Sequence, residues 1–258
     1  MPLSIIWNRA GDALKFLGPA VIKAVYPKRC IACGRLMPMP EHRDSARIRP
    51  WFCEECSQDV NMVVPPFCIQ CGRVFESRAG PKHLCKKCMD KKNKFTKARA
   101  TAIYEGSVKR AILNYKYRRN AALARPLGAL LKEAYDNYYG NNETDFIIPV
   151  PLHIRRLRWR KFNQAWLLID KWKAPDFPTL LPDVLVRKRW TRPQAGLDNK
   201  ERAKNIKGAF AINHDVKGKS ILLVDDVFTT GATVNECSKV LLAGGAKQVD
   251  ILTLARVL

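Results

Sequence analysis

Residues 218–233 read Gly218-Lys-Ser-Ile-Leu-Leu-Val-Asp225-Asp226-Val-Phe-Thr229-Thr230-Gly231-Ala232-Thr233. The apolar run Ile221 to Val224 has the length and continuity of a strand buried on both faces. It runs into two carboxylates, then into a short hydroxyl and glycine loop, then into a helix beginning near Thr233. In an open α/β sheet the carboxyl end of a strand is where ligands are met. Two adjacent carboxylates there suit the hydroxyls of a ribose diol. The loop that follows suits a phosphate: glycine at 231 lets the backbone approach, the threonine hydroxyls donate, and a helix N-terminus aims its free amides at the same point. A turn with Asp and Thr serving only as helix caps is the plain alternative. The spacing Asp-Asp-x-x-Thr-Thr-Gly disfavours it.

Two further apolar runs, Phe146 to Val150 and Val249 to Leu254, flank this stretch, with helical segments between them. The region after residue 95 therefore reads as an α/β domain with a parallel sheet. It contains neither Gly-x-x-x-x-Gly-Lys-Ser/Thr after a strand nor Gly-x-Gly-x-x-Gly opening a helix, which excludes the P-loop and the dinucleotide fingerprint. Cys237 lines up with Val234, Val240 and Leu241 on one helix face, the position of a core cysteine rather than a nucleophile.

The first part of the chain has a different character. It holds eight of the chain's nine cysteines, in four Cys-x-x-Cys pairs: Cys30 with Cys33, Cys53 with Cys56, Cys68 with Cys71, and Cys85 with Cys88. Two thiolates on a tight turn, eased by Gly34 and Gly72 after the first and third pairs, can grip one tetrahedral Zn(II). Eight ligands suit two closed structural sites. The simplest grouping joins the first pair to the second and the third to the fourth, although spacing leaves an interleaved arrangement open. Disulfides are the alternative, and a reducing cytosol opposes them. Few long aliphatic runs occur between 30 and 90, so metal must supply much of that module's folding free energy. The expected organisation is a packing helix within 1–28, a zinc-binding module at 29–95, and an α/β domain at 96–258.

Charge sets the partners. Lys and Arg number 46 against 23 Asp and Glu, a net charge of +23, which raises the local concentration of polyanions and phosphorylated molecules. Two basic runs each enclose a tryptophan. Arg155, Arg156, Arg158, Arg160 and Lys161 surround Trp159, and Arg187, Arg189 and Arg192 surround Trp190. Guanidinium groups neutralise phosphates and an indole can stack a base, which is a recipe for single-stranded nucleic acid. The first run is equally compatible with clamping a diphosphate or with covering a helix face. The second leads through Gln194 into a polar stretch ending near Asn205, open to two readings: a loop closing over the site, or a solvated connector. His153 suits a turn cap at least as well as acid or base work. No stretch approaches the roughly 20 apolar residues of a spanning helix, and the first residues do not form a secretory signal, so no membrane insertion and a cytoplasmic location are expected.

Several segments together resemble the ComF family: Tyr26-Pro-x-x-Cys30-x-x-Cys33-Gly34, Lys116-Tyr117, Pro149-Val-Pro-Leu-His153, Arg155-Arg-Leu-Arg158, Phe162-Asn-Gln164, Thr191-Arg-Pro-Gln-Ala-Gly-Leu197, Arg202, Asn205 and Gly208-Ala-Phe210, with the Asp225-Asp226 loop. The resemblance covers about residues 14 to 258. It implies a type I phosphoribosyltransferase-like parallel sheet flanked by helices, preceded by a small double zinc-ribbon-like module. Asp225, Asp226, Thr229, Thr230, Gly231, Ala232 and Thr233 would meet phosphoribosyl pyrophosphate or a related nucleotide, with Mg(II) carried by the diphosphate. Lys116, Arg155, Arg156, Arg158, Trp159, Arg160, Arg187, Arg189 and Trp190 are candidates for contact with diphosphate or DNA. The family association is DNA uptake and natural transformation, with single-stranded DNA and other uptake proteins as partners. Transfer of a phosphoribosyl group to a nitrogenous acceptor is the competing expectation. Lys161 stands where many members carry a glycine, which makes that loop stiffer.

Overall fold

The computed structural model describes residues 27–37, 50–76, 82–91, 93–118, 120–140, 143–172, 174, 177–192 and 198–258. The helix expected between residues 4 and 26, and Gln194, lie outside them. The chain divides into two compact units, residues 1–58 and 59–258. The division falls inside the cysteine-rich stretch.

The first unit holds Cys30, Cys33, Cys53 and Cys56 together. Its first knuckle is closed by the antiparallel bridge of Arg29 with Leu36 and by the Gly34 amide donating to the Cys30 carbonyl at 2.9 Å. A short helix α1 (Glu54–Gln58) carries the second pair, and the Ile31 amide donates to the Trp51 carbonyl at 3.0 Å, tying the two knuckles together.

The second unit is a parallel five-stranded sheet with helices on both faces. Its first elements are α2 (Lys86–Asp90), β1 (Ala98–Ile103), α3 (Gly106–Tyr117), α4 (Ala124–Tyr138), β2 (Phe146–Pro149), α5 (Ile154–Arg160), α6 (Gln164–Leu167) and β3 (Thr179–Leu180). These are followed by β4 (Leu185–Arg187), α7 (Asn199–Ile206), β5 (Phe210–Ile212), β6 (Ser220–Phe228), α8 (Ala232–Ala243) and β7 (Gln248–Arg256). Strand order is β1-β7-β6-β2-β3, and β4 pairs antiparallel with β5 apart from this sheet. β6 is central, in register with β7 from Ser220↔Gln248 to Phe228↔Arg256 and with β2 from Phe146↔Ile221 to Pro149↔Val224.

Central position explains the sequence of β6. Ile221, Leu222, Leu223 and Val224 are each at most 1% exposed, so both faces must be apolar, as expected for a parallel strand covered by helices. Ile221 and Leu223 join Val234, Cys237 and Leu241 of α8 in one core cluster, while α4 and α6 lie against the sheet. Truncating such a residue, Leu223→Ala for example, costs about 2–5 kcal/mol. Pro149 is tolerated in β2 because β3 pairs only opposite Phe146 and Ile147, leaving no partner for the amide that proline lacks. The expected strands at 146–150, 221–224 and 249–254 are all present.

The third and fourth cysteine pairs belong to this core. Cys68, Cys71, Cys85 and Cys88 are each no more than 8% exposed and cluster with Phe95, Ala98 and Phe228. Gly72 shows how closely the ribbon lies on the sheet, since a Cβ there would stand 2.6 Å from the Ala98 carbonyl oxygen. β1 itself, Ala-Arg-Ala-Thr-Ala-Ile, has no aliphatic run to announce it, and its alanines permit this close approach.

Candidate functional site

Each four-cysteine set fits one tetrahedral zinc ion. Within each set the four sulfurs lie within 4.8 Å of one another. Cys33 Sγ is 3.8 Å from Cys53 Sγ, and Cys71 Sγ is 3.7 Å from Cys85 Sγ. Zn–S bonds of about 2.3 Å at tetrahedral angles put ligand sulfurs about 3.8 Å apart. The first pair therefore joins the second and the third joins the fourth, and the interleaved alternative falls away. At the second site the amides of Cys71 and Cys85 donate to Cys68 Sγ at 3.4 and 3.3 Å, and Asn93 Nδ2 donates to Cys88 Sγ at 3.4 Å. Burial opposes ionisation of Cys68, but the amides of Cys85, Cys71 and Gln70 outweigh it and bring its pKa down to about 7. Both sites are closed by four thiolates, which leaves no open position for catalytic water.

The carboxylates stand at the carboxyl end of β6, next to β2. The chain leaves β2 for β3 on one side and returns as β6 on the other, so the crevice between β2 and β6 is a topological switch point, the usual ligand position in such sheets. Because successive strand residues face opposite sides, the pair divides. Asp226 turns toward α3, where its Oδ1 lies 2.6 Å from Lys116 Nζ. Side-chain exposures of 15% and 12% leave that ion pair largely shielded from water. Burial alone would lower the lysine's pKa, but Asp226 reverses the sign and holds it above the ordinary lysine value. Asp225 turns toward α8 and Arg187. Burial, then the neighbouring Asp226 carboxylate, push it up to about 7, while Lys116 and Arg187 only partly compensate. Asp226 is thus paired with Lys116, and near neutral pH Asp225 is poised to gain or lose a proton.

After Phe228 the loop turns on Gly231, whose φ of 78° is left-handed. A Cβ at this glycine would stand 2.7 Å from Phe228 Cζ, so both conformation and space call for glycine. Thr230 Oγ1 accepts from the Ala232 amide at 3.3 Å. The N-cap of α8 is Gly231 itself, which brings no side chain to the first-turn amides. A twelve-residue helix thus opens at the loop, beside Asp225 and Asp226, with the amide dipoles that favour an anion.

The two basic runs meet in space. Trp190 lies edge-on to His153 at 5.3 Å, with the guanidinium of Arg155 at 5.8 Å and that of Arg156 at 5.3 Å from its ring. Arg156 also donates to the Thr191 carbonyl at 3.1 Å. Trp159 pairs edge-on with Tyr117 at 6.4 Å, and Arg160 lies over Tyr117 at 5.8 Å. Trp190, Trp159 and Tyr117 are 41%, 49% and 54% exposed. Tyr117 follows Lys116 in α3, so this aromatic pair adjoins the Lys116–Asp226 ion pair. Arg155 and Arg158 are exposed on α5. His153 caps that helix, its Nδ1 accepting from the Arg155 amide at 3.3 Å, and burial with Arg155, Arg187 and Arg156 lowers its pKa. At the other end of α5, Lys161 takes φ 72° as a left-handed C-cap. The turn a glycine would make is retained with lysine in it.

Residues 180–258 match the phosphoribosyl transferase domain, and residues 21–89 match the double zinc ribbon domain. Competence protein F of Haemophilus influenzae is 31% identical over 215 residues, covering 80% of this chain and 90% of that protein. The chain belongs to the ComF family. DNA utilization protein YhgH of Escherichia coli is 32% identical over 217 residues, covering 80% of this chain and 91% of its own. Competence protein ComFC of Streptococcus pneumoniae is 27% identical over 242 residues, covering 88% of this chain and all of its own.

In this ComF-family protein the candidate residues sort into three environments. Asp225, Asp226, Thr229 to Thr233 and Lys116 share the end of β6. Arg155, Arg156, Arg158, Trp159, Arg160 and Trp190 form the basic aromatic surface, to which the structure adds Tyr117. Arg187 is interior, 8% exposed, bonded to Thr191 Oγ1 and lying over the Phe210 ring at 5.5 Å; burial, then Arg156, bring it down to about 10. Arg189 is bound to the carbonyls of Asn205 and Lys207, both at 2.8 Å. Of the polar stretch before Asn205, residues 193–197 lie outside the described residues; residues 199–206 are the helix α7, opened by a capping box between Asp198 and Glu201. That Asp-x-x-Glu spacing was the legible signal. Cys237 is fully buried, and burial with Asp225 raises its pKa well above the thiol range, as suits a core residue. Among the described residues no helix is long and apolar enough to cross a membrane.

Proposed function

We propose that this protein serves DNA uptake in competence, binding single-stranded DNA along the α5 and Trp190 surface. Phosphoribosyl pyrophosphate, or a related phosphoribosyl ligand, would be bound at Asp225, Asp226 and Thr229 to Thr233. Mg(II) would enter with the diphosphate. The protein would act in the cytoplasm beside other uptake proteins. Relatives named for competence and for DNA utilization support the setting. The observation that carries the DNA reading is the convergence of Arg155, Arg156 and exposed Trp190 from two separate segments, since stacking surface ringed by guanidinium is what single strands need.

A labelled oligonucleotide tests it. Affinity should fall steeply with salt, log K declining by about 0.7 per phosphate neutralised for each tenfold rise in salt. Trp190→Ala should cost about 1–3 kcal/mol if a base stacks there. No detectable binding at low salt rejects the reading. Titration of phosphoribosyl pyrophosphate into the protein and into Asp225→Ala with Asp226→Ala, with and without DNA, tests the second site and any coupling.

A second reading, transfer of the phosphoribosyl group to a nitrogenous base, draws on Asp225. A carboxyl brought up to about 7 is matched to proton transfer near neutral pH. Pyrophosphate release across a panel of purines and pyrimidines would support it, and none released would reject it.

A further inference from the structure

We propose that the second zinc ribbon sets the shape of the phosphate loop, with Lys87 as the positioning residue, so that zinc at Cys68, Cys71, Cys85 and Cys88 and a phosphoribosyl ligand at Thr229–Thr233 stabilise one another. The ligand half of this inference rests on the reading given above; the mechanical half does not.

Lys87 lies inside Cys85-x-x-Cys88, on α2, one residue before a zinc ligand. Its Nζ donates to the Thr230 carbonyl at 3.3 Å, across 143 positions of sequence. Three further contacts hold the same loop from the same side. The Lys94 amide donates to Asn235 Oδ1 at 2.7 Å, in the first turn of α8. Phe95 packs edge-on against Phe228 at 6.0 Å. Arg256 donates to the Cys71 carbonyl while its guanidinium lies over Phe228 at 5.4 Å from the ring. Phe228 is the ring that Gly231 must skirt. A cavity of about 70 Å³ between ribbon and loop is lined by Cys88, Lys87, Asn93, Phe228, Thr230 and Arg256.

The physical consequence follows from what holds the ribbon. Cys88 lies on a five-residue helix whose N-cap is Cys85, and a helix of that length is too short to persist by itself. Four thiolates around a metal fix its first turn, and that turn aims Lys87. Thr230 receives the ammonium on its carbonyl, which constrains the peptide joining Thr230 to Gly231, and Thr230 Oγ1 in turn meets the Ala232 amide. Loss of zinc releases Lys87, Lys94 and Phe95 together. By linkage, a ligand that orders the loop must raise zinc affinity by the same factor that zinc raises ligand affinity.

The test uses the full chain loaded with two zinc ions. Lys87→Met keeps the aliphatic stem and removes the donor; Lys86→Met, at the exposed neighbour, is the control. Both should retain two zinc ions by elemental analysis. Hydrogen exchange of amides 229–235 should quicken about fivefold in Lys87→Met, the effect of losing one hydrogen bond of about 1 kcal/mol, and stay unchanged in Lys86→Met. Withdrawal of the second zinc equivalent by a chelator should quicken the same amides. Unchanged exchange in Lys87→Met, or unchanged exchange after that zinc is withdrawn, overturns the proposal with no ligand present. Saturating phosphoribosyl pyrophosphate should slow loss of the second zinc several-fold in the unaltered protein and much less in Lys87→Met. Equal slowing in both overturns the coupling. Failure of the unaltered protein to bind that ligand would reject the ligand reading alone, since the exchange measurements still decide whether the ribbon holds the loop.

Discussion

Replacing Lys116 by methionine leaves Asp226 beside Asp225 with no counter-charge. The Lys116–Asp226 separation is 2.6 Å, which at an effective dielectric of 20 corresponds to about 6 kcal/mol of attraction. That figure is an upper bound, because the variant also escapes the cost of burying an ammonium. Removing one partner of a buried pair costs about 3–5 kcal/mol, and exposures of 15% and 12% allow some relief by water, so about 3 kcal/mol is expected. Urea unfolding followed by tryptophan fluorescence measures it as a lower midpoint with unchanged slope. The decisive comparison is a double-mutant cycle. Asp226→Asn with Lys116→Met should be more stable than Lys116→Met alone, because the stranded charge is gone, and the coupling should exceed about 1 kcal/mol. A coupling below about 0.5 kcal/mol would mean that the two side chains do not share a buried pair, and the division of the carboxylates between the two faces of the sheet would have to be abandoned.

Three other outcomes are expected. Elemental analysis should find two zinc ions per chain, with Cys68→Ser losing one of them; a protein purified without chelator and lacking zinc would reject the structural sites. Lys161→Gly should stabilise the protein by about 1 kcal/mol, since φ 72° costs a non-glycine residue about that much; a lower melting temperature would show that the lysine side chain matters more than its backbone. Asp225, brought up to about 7 from an ordinary carboxylate near 4, binds more protons folded than unfolded between those values, so its contribution to stability declines as pH rises from 4 to 7. The margin by which Asp225→Asn melts above the unaltered protein should therefore be smallest at pH 4, widen up to pH 7 and stay constant from there to pH 8. Affinity for a ribose diol, which needs the ionised acceptor, should increase from pH 6 to 8 in the unaltered protein only.

What could be read in advance was whatever the chain writes locally. The zinc ligands are legible because the two cysteines of each knuckle are three positions apart, and a metal imposes that spacing. Strand, carboxylates, glycine and helix start follow one another within residues 218–233, so their succession was legible, although β6 runs on through both carboxylates to Phe228. The resemblance marked Lys161 as standing in a glycine position, but its left-handed turn came only with the structure. Helix α7 was missed because its charged surface resembles a connector; only the capping box distinguishes the two.

Charge counting and motif spacing could not say which groups would be partners. Asp225 and Asp226 are neighbours in sequence, yet strand alternation sends them to opposite faces, one to Lys116 on a helix before β2 and the other toward Arg187. Arg187 and Arg155 look equally suited to meet a polyanion, but packing against Phe210 buries the first and leaves the second in water. Nothing in the sequence near Lys87 points to Thr230, 143 positions away, and only the fold brings the two together. Local sequence thus determined the ligand sets and the loop, because covalent spacing delivers those groups to one another. The tertiary structure decided which charges are paired, which are buried and which remain for a ligand, because long-range packing sets how much water each charge retains.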